Sequence, residues 1–203
     1  MKRFIESFKS KLDGIDFETL EKSKYSIYGL SEDLEIIYLN PAWVDFGKKN
    51  GIKEIYLQKP IIGTSILNSF AGQVLKNFYK ENFLNVLKTR KPWRHEYECS
   101  SIEEFRKFHQ KTYPLKNGKG LVVINTLTIE VPMESIDRKA LEIIDNRYVN
   151  KDGLVTQCSN CRCTQRANEL DIWDWVPKWI IDIPENFSHS ICPICFDYYW
   201  KVK

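Results

Sequence analysis

Over the first 132 residues, apolar side chains alternate between helical and strand-like spacing, and each change of spacing marks an element. Phe4, Ile5, Phe8, Leu12, Phe17 and Leu20 recur at loosely helical intervals broken at Gly14, which predicts one or two short helices in residues 1–24. Residues 25–30 and 34–39 are short β-rich runs separated by Ser31-Glu32-Asp33, a polar turn, so a hairpin follows. Asn40-Pro41 then offers an N-cap and a proline at the first helical position, opening a helix through Ala42, Trp43 and Phe46 that ends near Asn50-Gly51. A second helix is predicted over about 71–88, where Val74, Leu75, Phe78, Phe83, Leu84 and Leu87 fall mostly at helical spacings. Three strands follow, at 93–100, about 105–115 and 121–131, with Asn117-Gly118 as the turn between the last two.

The order β-β-α-α-β-β-β predicts an α+β domain over 25–132, an antiparallel five-stranded sheet with helices on one face. A further helix is expected over about 136–148, ahead of Asn150-Lys151-Asp152-Gly153. The chain thus divides into an N-terminal helical segment (1–24), the α+β domain (25–132), a connecting helix and linker (133–153), and a C-terminal module (154–203).

That module carries the most specific chemistry in the chain. Cys158, Cys161, Cys192 and Cys195 form a C-x2-C…C-x2-C array. Each pair can place two thiolates on one tight turn, and two such turns supply the four soft ligands of a closed tetrahedral Zn²⁺ site. A closed site of this kind is structural, because no coordination position remains for water or substrate. The 30 residues between Cys161 and Cys192 exceed the usual spacing, so this loop has to hold structure of its own. Cys163 lies close enough to compete as a ligand or to form a disulfide on oxidation. His189, three residues before Cys192, could ligate or donate a hydrogen bond to a thiolate. Trp173, Trp175, Trp179, Phe187, Tyr198, Tyr199 and Trp200 crowd the same segment and read as the packing of a small core.

Composition narrows the function. At 203 residues and 43% hydrophobic content, the chain can bury an ordinary core. No apolar run approaches a membrane span, and MKRFIESFKSKLDG lacks the apolar stretch of a signal peptide, so a cytoplasmic location is expected. In a reducing compartment clustered cysteines read as metal ligands before disulfides. Residues 151–203 hold six Lys or Arg against seven Asp or Glu, which argues against a nucleic-acid footprint. No phosphate-binding glycine loop, G-x-S-x-G or H-E-x-x-H is present. The nearest approach to a nucleophile pairing is Cys99 with His109 or His95.

The element order, with Leu39-Asn40-Pro41-Ala42-Trp43 closing the second strand, resembles a PAS domain, the small sensory fold of bacterial signalling proteins. Segments 97–101, 105–109 and 120–125 look like those of bacterial PAS-containing proteins that end in a cysteine-rich tail. Their tail pattern is a C-x2-C followed by basic residues, a Trp-rich Trp-Val-Pro stretch, then Ser-His-x-x-Cys-Pro-x-Cys. This chain has Cys158-Ser159-Asn160-Cys161-Arg162, Trp173-Asp174-Trp175-Val176-Pro177 and Ser188-His189-Ser190-Ile191-Cys192-Pro193-Ile194-Cys195. The resemblance implies a sensor with an unidentified cavity ligand, for whose lining Trp43, Phe78, Trp93, Phe105, Phe108 and Tyr113 are candidates. It also implies pairing through N-terminal helices, which the stripe of Phe4, Ile5, Phe8 and Leu12 would suit.

The expected function is therefore a non-catalytic sensory or interaction protein of bacterial signal transduction, with a PAS-like domain coupled to a structural zinc site. Its output would pass to a partner protein or to a second copy in a homodimer, with no role for membrane. Alternatives are a thiol-based redox switch that releases zinc on oxidation, a zinc-dependent nucleic-acid-binding regulator, and a metal-dependent hydrolase with an open coordination position.

Overall fold

The hairpin expected at residues 25–39 forms as β1 (Ser26–Leu30) and β2 (Ile36–Leu39), and Asn40 explains why the chain turns where it does. Its Oδ1 accepts from the Trp43 amide at 2.9 Å, capping α2 (Pro41–Lys49), and also from the Ile27 amide at 2.9 Å. Its Nδ2 donates to the Tyr25 carbonyl at 2.8 Å. One wholly buried amide thus starts a helix and pins the strand beside it. The computed structural model describes residues 2–50, 61–183 and 185–200, so the expected helix end at Gly51 lies outside the described residues.

After α2 come α3 (Gln73–Thr89), β3 (Trp93–Glu98), β4 (Glu104–Pro114) and β5 (Leu121–Pro132). The turn between β4 and β5 uses Asn117 and Gly118 at φ 57° and 72°, left-handed values that these two residue types tolerate. The strands form one sheet in the order β2-β1-β5-β4-β3. β1 pairs antiparallel with β2 on one side and β5 on the other, with Tyr28 opposite Leu39 and Val123.

Helices from the β2–β3 crossover cover one face, where Phe46 meets Phe108 and Phe78, Tyr79 and Phe83 meet Trp93. The opposite face is covered by the N-terminal segment. A 3-10 turn (Glu6–Lys11) and α1 (Phe17–Lys22) lay Phe4, Ile5, Phe8, Leu12 and Leu20 on Ile27, Ile37, Tyr38 and Val122. Phe8 stacks on Tyr38 at 4.4 Å and is fully buried. The apolar stripe expected to pair two chains therefore packs within its own. The reason is that the sheet's second face is apolar, and residues 4–20 are the stretch that covers it. Gly29 makes room: a Cβ there would lie 2.5 Å from Phe8 Cε2.

Contacts divide the chain into two compact units, the first of Met1–Ser69, Phe78–Tyr97 and Phe108–Thr128, the second of Phe70–Asn77, Glu98–Lys107 and Ile129–Lys203. In the second unit the helix expected over 136–148 does not form. A 3-10 turn (Met133–Ser135) and the single turn α4 (Asp145–Tyr148) flank an irregular stretch, in which Ala140 bridges Trp175 and the Leu141 amide donates to the Trp175 carbonyl at 2.9 Å. Ile136 and Ile143 would share one helical face, but they pack into two different cores, one around the cysteines and one around Tyr148, Val155, Val176 and Trp179.

The cysteine module is built on a small sheet of β6 (Val155–Cys158), β7 (Thr164–Gln165), β8 (Trp173–Asp174) and β9 (Phe187–Ser190), in the order β8-β7-β6-β9. Its helices are α5 (Lys178–Ile181) and α6 (Pro193–Trp200). The long loop between the cysteine pairs thus supplies three strands and a helix. Among the described residues, no helix is long and apolar enough to cross a membrane.

Candidate metal centre

Parallel pairing of β6 and β9 sets the register of the site. Cys158 lies opposite Ser190, so both strands run off the same end of the sheet and each enters a cysteine turn. The Ser159 amide donates to the Ser190 carbonyl at 2.8 Å, which carries the pairing into the first turn. That turn closes through the Arg162 amide on the Cys158 carbonyl at 3.0 Å and the Cys158 amide on the Cys163 carbonyl at 2.8 Å. Arg162, at φ 61°, takes the left-handed residue that ends it. The second turn begins at Cys192 and runs directly into α6, whose first residue is Pro193.

As a result the sulfurs of Cys158, Cys161, Cys192 and Cys195 all lie within 4.8 Å of one another, and each residue is buried. Cys161 and Cys192 Sγ are 3.7 Å apart. Four sulfurs about 2.3 Å from a central Zn²⁺ define a tetrahedron with edges of about 3.8 Å, so the spacing fits a tetrahedral thiolate site. All six cysteines are free thiols, with no disulfide competing for the cluster. Backbone amides point at the sulfurs: Cys192 N–H donates to Cys158 Sγ at 3.4 Å and Cys195 N–H to Cys192 Sγ at 3.4 Å.

The closeness of the four thiols couples their ionisation. Cys158 is held well below the ordinary thiol range by hydrogen bonds from Cys161, Cys192 and Cys195. Cys161, Cys192 and Cys195 are pushed well above it, chiefly by sharing their protons with Cys158 and one another. Four buried thiols this close cannot all ionise unaided, whereas a divalent cation makes four thiolates compatible.

Around the sulfurs lies a core of Phe105, Met133, Trp175 and Cys163, with Trp173, Ile136, Ile180 and Ile191 packed against it. Trp173 and Trp175 therefore serve packing. Trp179 belongs to the second core, edge-on to Tyr148 at 5.3 Å and Phe187 at 5.9 Å; the side chains of Tyr199 and Trp200 lie outside the described residues. Cys163 is buried beside Cys161 but outside the four-sulfur group. His189 sits in β9 opposite Gln157, half-buried, its ring near Phe187, also outside that group.

Three residues at the site escaped the sequence reading. Asn160 Nδ2 donates to Cys195 Sγ at 3.1 Å. Arg138 clamps Glu98 through two hydrogen bonds of 2.7 and 3.1 Å, and its guanidinium lies over Trp175 at 5.1 Å and Phe105 at 5.6 Å. Only Asn160, inside the first cysteine turn, had a positional signal in the sequence.

Of the six residues proposed to line a sensory cavity, three share one aromatic cluster and two lie elsewhere. Phe78, Trp93 and Phe108 join the aromatic cluster under the crossover helices, Tyr113 faces the N-terminal segment, and Phe105 belongs to the cysteine core. His95 lies in the aromatic cluster, parallel to Trp93 at 4.7 Å, with its Nε2 2.9 Å from the Tyr79 hydroxyl. Cys99 is partly buried, and burial pushes its thiol up, away from nucleophilic character.

The five strands and the helical crossover between β2 and β3 follow the chain order read from the sequence, and the structure adds the sheet order β2-β1-β5-β4-β3. Among solved structures, the chain is similar to the PAS domain of BvgS from Bordetella pertussis, at 17% identity over 55% of this chain and 82% of that one, TM-score 0.42. It is also similar to a PAS domain from Colwellia psychrerythraea, at 14% identity over 55% and 92%, TM-score 0.41. VqmA of Vibrio cholerae shares 11% identity over 55% of this chain and 49% of its own, TM-score 0.41. No family model matches the sequence, and no curated protein does.

Proposed function

We propose that this protein is a non-catalytic sensory or interaction protein of bacterial signal transduction, in which a PAS-like unit is joined to a module folded around one structural zinc ion. The ligands in this reading are Cys158, Cys161, Cys192 and Cys195. The observation that carries it is the buried group of four sulfurs, all within 4.8 Å of one another. Bound there, the ion supplies a cross-link between two turns 30 residues apart and the charge that four thiolates need. The chain's own residues do the rest: amide donors orient the sulfurs, and Trp175, Phe105 and Met133 keep water from them. Four protein ligands leave no position for a substrate, which supports a non-catalytic role. Ile181, Ile183 and Ile194, exposed at 70%, 62% and 82%, support output through protein contact.

The test is metal content. Purified protein should carry about one zinc per chain, and chelation should raise amide exchange from residue 154 onward while sparing β1, β2 and β5. A native protein without metal, whose four thiols react freely with an alkylating reagent, would refute the reading. A second reading, a thiol switch, is favoured by a further cysteine: Cys163 shares the buried core with Cys161, two positions away. Zinc release at low peroxide in wild type, but not in Cys163→Ser, would support it.

A further inference from the structure

The first cysteine turn reaches across to the second through one side chain. Asn160 sits between Cys158 and Cys161, yet its Nδ2 donates to Cys195 Sγ at 3.1 Å, 35 residues along the chain. Its Oδ1 accepts the backbone N–H of Glu98, the last residue of β3, at 3.1 Å. The two ends of one short amide are thus committed in opposite directions, which leaves its rotamer little freedom. Cys192 N–H and Cys195 N–H, by contrast, reach Cys158 and Cys192 Sγ from the backbone of the cysteines themselves. Cys195 receives a side-chain donor instead, and that donor is attached to the opposite turn.

Glu98 is itself anchored. Its carboxylate takes both Arg138 nitrogens and the Ser100 hydroxyl at 2.8 Å, and Arg138 rests on Trp175 and Phe105 of the core around the cysteines. Asn160 is the link from this anchored backbone to a sulfur. A hydrogen bond aimed at sulfur strengthens when the sulfur carries charge, as a metal-bound thiolate does. The same bond also fixes the direction from which Cys195 approaches the ion.

We infer that Asn160 is a positioning residue of the metal centre: it holds Cys195 in ligating geometry and ties that sulfur to the Glu98 backbone, so that metal occupancy is felt at the end of β3. The inference rests on the metal reading above and adds to it a residue that is not a ligand.

Two variants of the full chain separate its halves. Asn160→Asp keeps an acceptor for the Glu98 amide and loses the donor to sulfur; Asn160→Ala loses both. Both variants should still take up about one ion per chain, but competition with a chromophoric chelator should show zinc affinity lowered about 10–100-fold. In Co²⁺-loaded protein the sulfur-to-cobalt charge-transfer band should move to lower energy in both, because a donor that stabilised the sulfur lone pair is gone. Exchange protection of the Glu98 amide should persist in Asn160→Asp and fall in Asn160→Ala. A side chain that merely supports the fold would lower thermal stability equally with zinc and with chelator and leave the cobalt band in place; that result overturns the inference. Metal-loaded wild type with variants of unchanged affinity overturns it alone, and a wild type that holds no metal overturns the reading beneath it as well.

Discussion

Acidification tests the aromatic cluster directly, because one imidazole is enclosed in it. His95 lies parallel to the Trp93 ring at 4.7 Å and 6°, stacks on Tyr97 at 5.7 Å, and has Phe78 edge-on at 5.5 Å. The Tyr79 hydroxyl is 2.9 Å from its Nε2. Burial among these rings, with a smaller effect from nearby His109, pushes the imidazole down to about 3. The unfolded chain takes up this proton near pH 6.5, so between pH 6.5 and 3 the unfolded state binds more protons than the folded one. Stability from His95 is therefore complete above pH 6.5 and is lost as pH falls toward 3. The slope is about 1.4 kcal/mol per pH unit, or roughly 3 kcal/mol between pH 6.5 and 4.5. The assay is an NMR titration of the histidine ring carbons in the folded protein. The His95 signals should stay flat down to about pH 4.5, while an exposed imidazole moves with a midpoint near 6.5. A His95 midpoint near 6.5 in folded protein would refute the enclosure and the stability argument with it.

Other consequences follow from the N-terminal cover. Phe8→Ala empties a fully buried site stacked on Tyr38 and should cost about 3–5 kcal/mol in urea unfolding. The loss should not depend on protein concentration, whereas a stripe that joined two chains would make it do so. Gly29→Ala places a methyl against the Phe8 ring and should destabilise by about 1–3 kcal/mol. In the Phe8→Ala background that cost should largely vanish, and an additive pair would show that the two do not share a contact.

Much of the first unit was legible along the chain because its signals are local. Asn40-Pro41 is a cap and a first helical residue whatever surrounds it, and Asn117-Gly118 tolerates left-handed backbone at any turn. The cysteine pairs were legible for the same reason, each turn being four residues long. Residues 136–148 failed because spacing records which side chains are apolar and not which core each enters; Ile136 and Ile143 enter different ones. Asn160, Glu98 and Arg138 were not legible as a group, since their hydrogen bonds join residues 40 and 62 positions apart.

What the sequence determined alone was the set of parts: five strands with a helical crossover, and two sulfur-bearing turns. The folded structure decided the pairings. It turned the N-terminal stripe onto its own sheet, ran β6 and β9 parallel so that four sulfurs meet, and left Cys163 outside the four. The division has a physical cause: backbone propensity and capping act over a few residues, whereas burial and hydrogen-bond satisfaction depend on segments that meet only when the chain closes on itself.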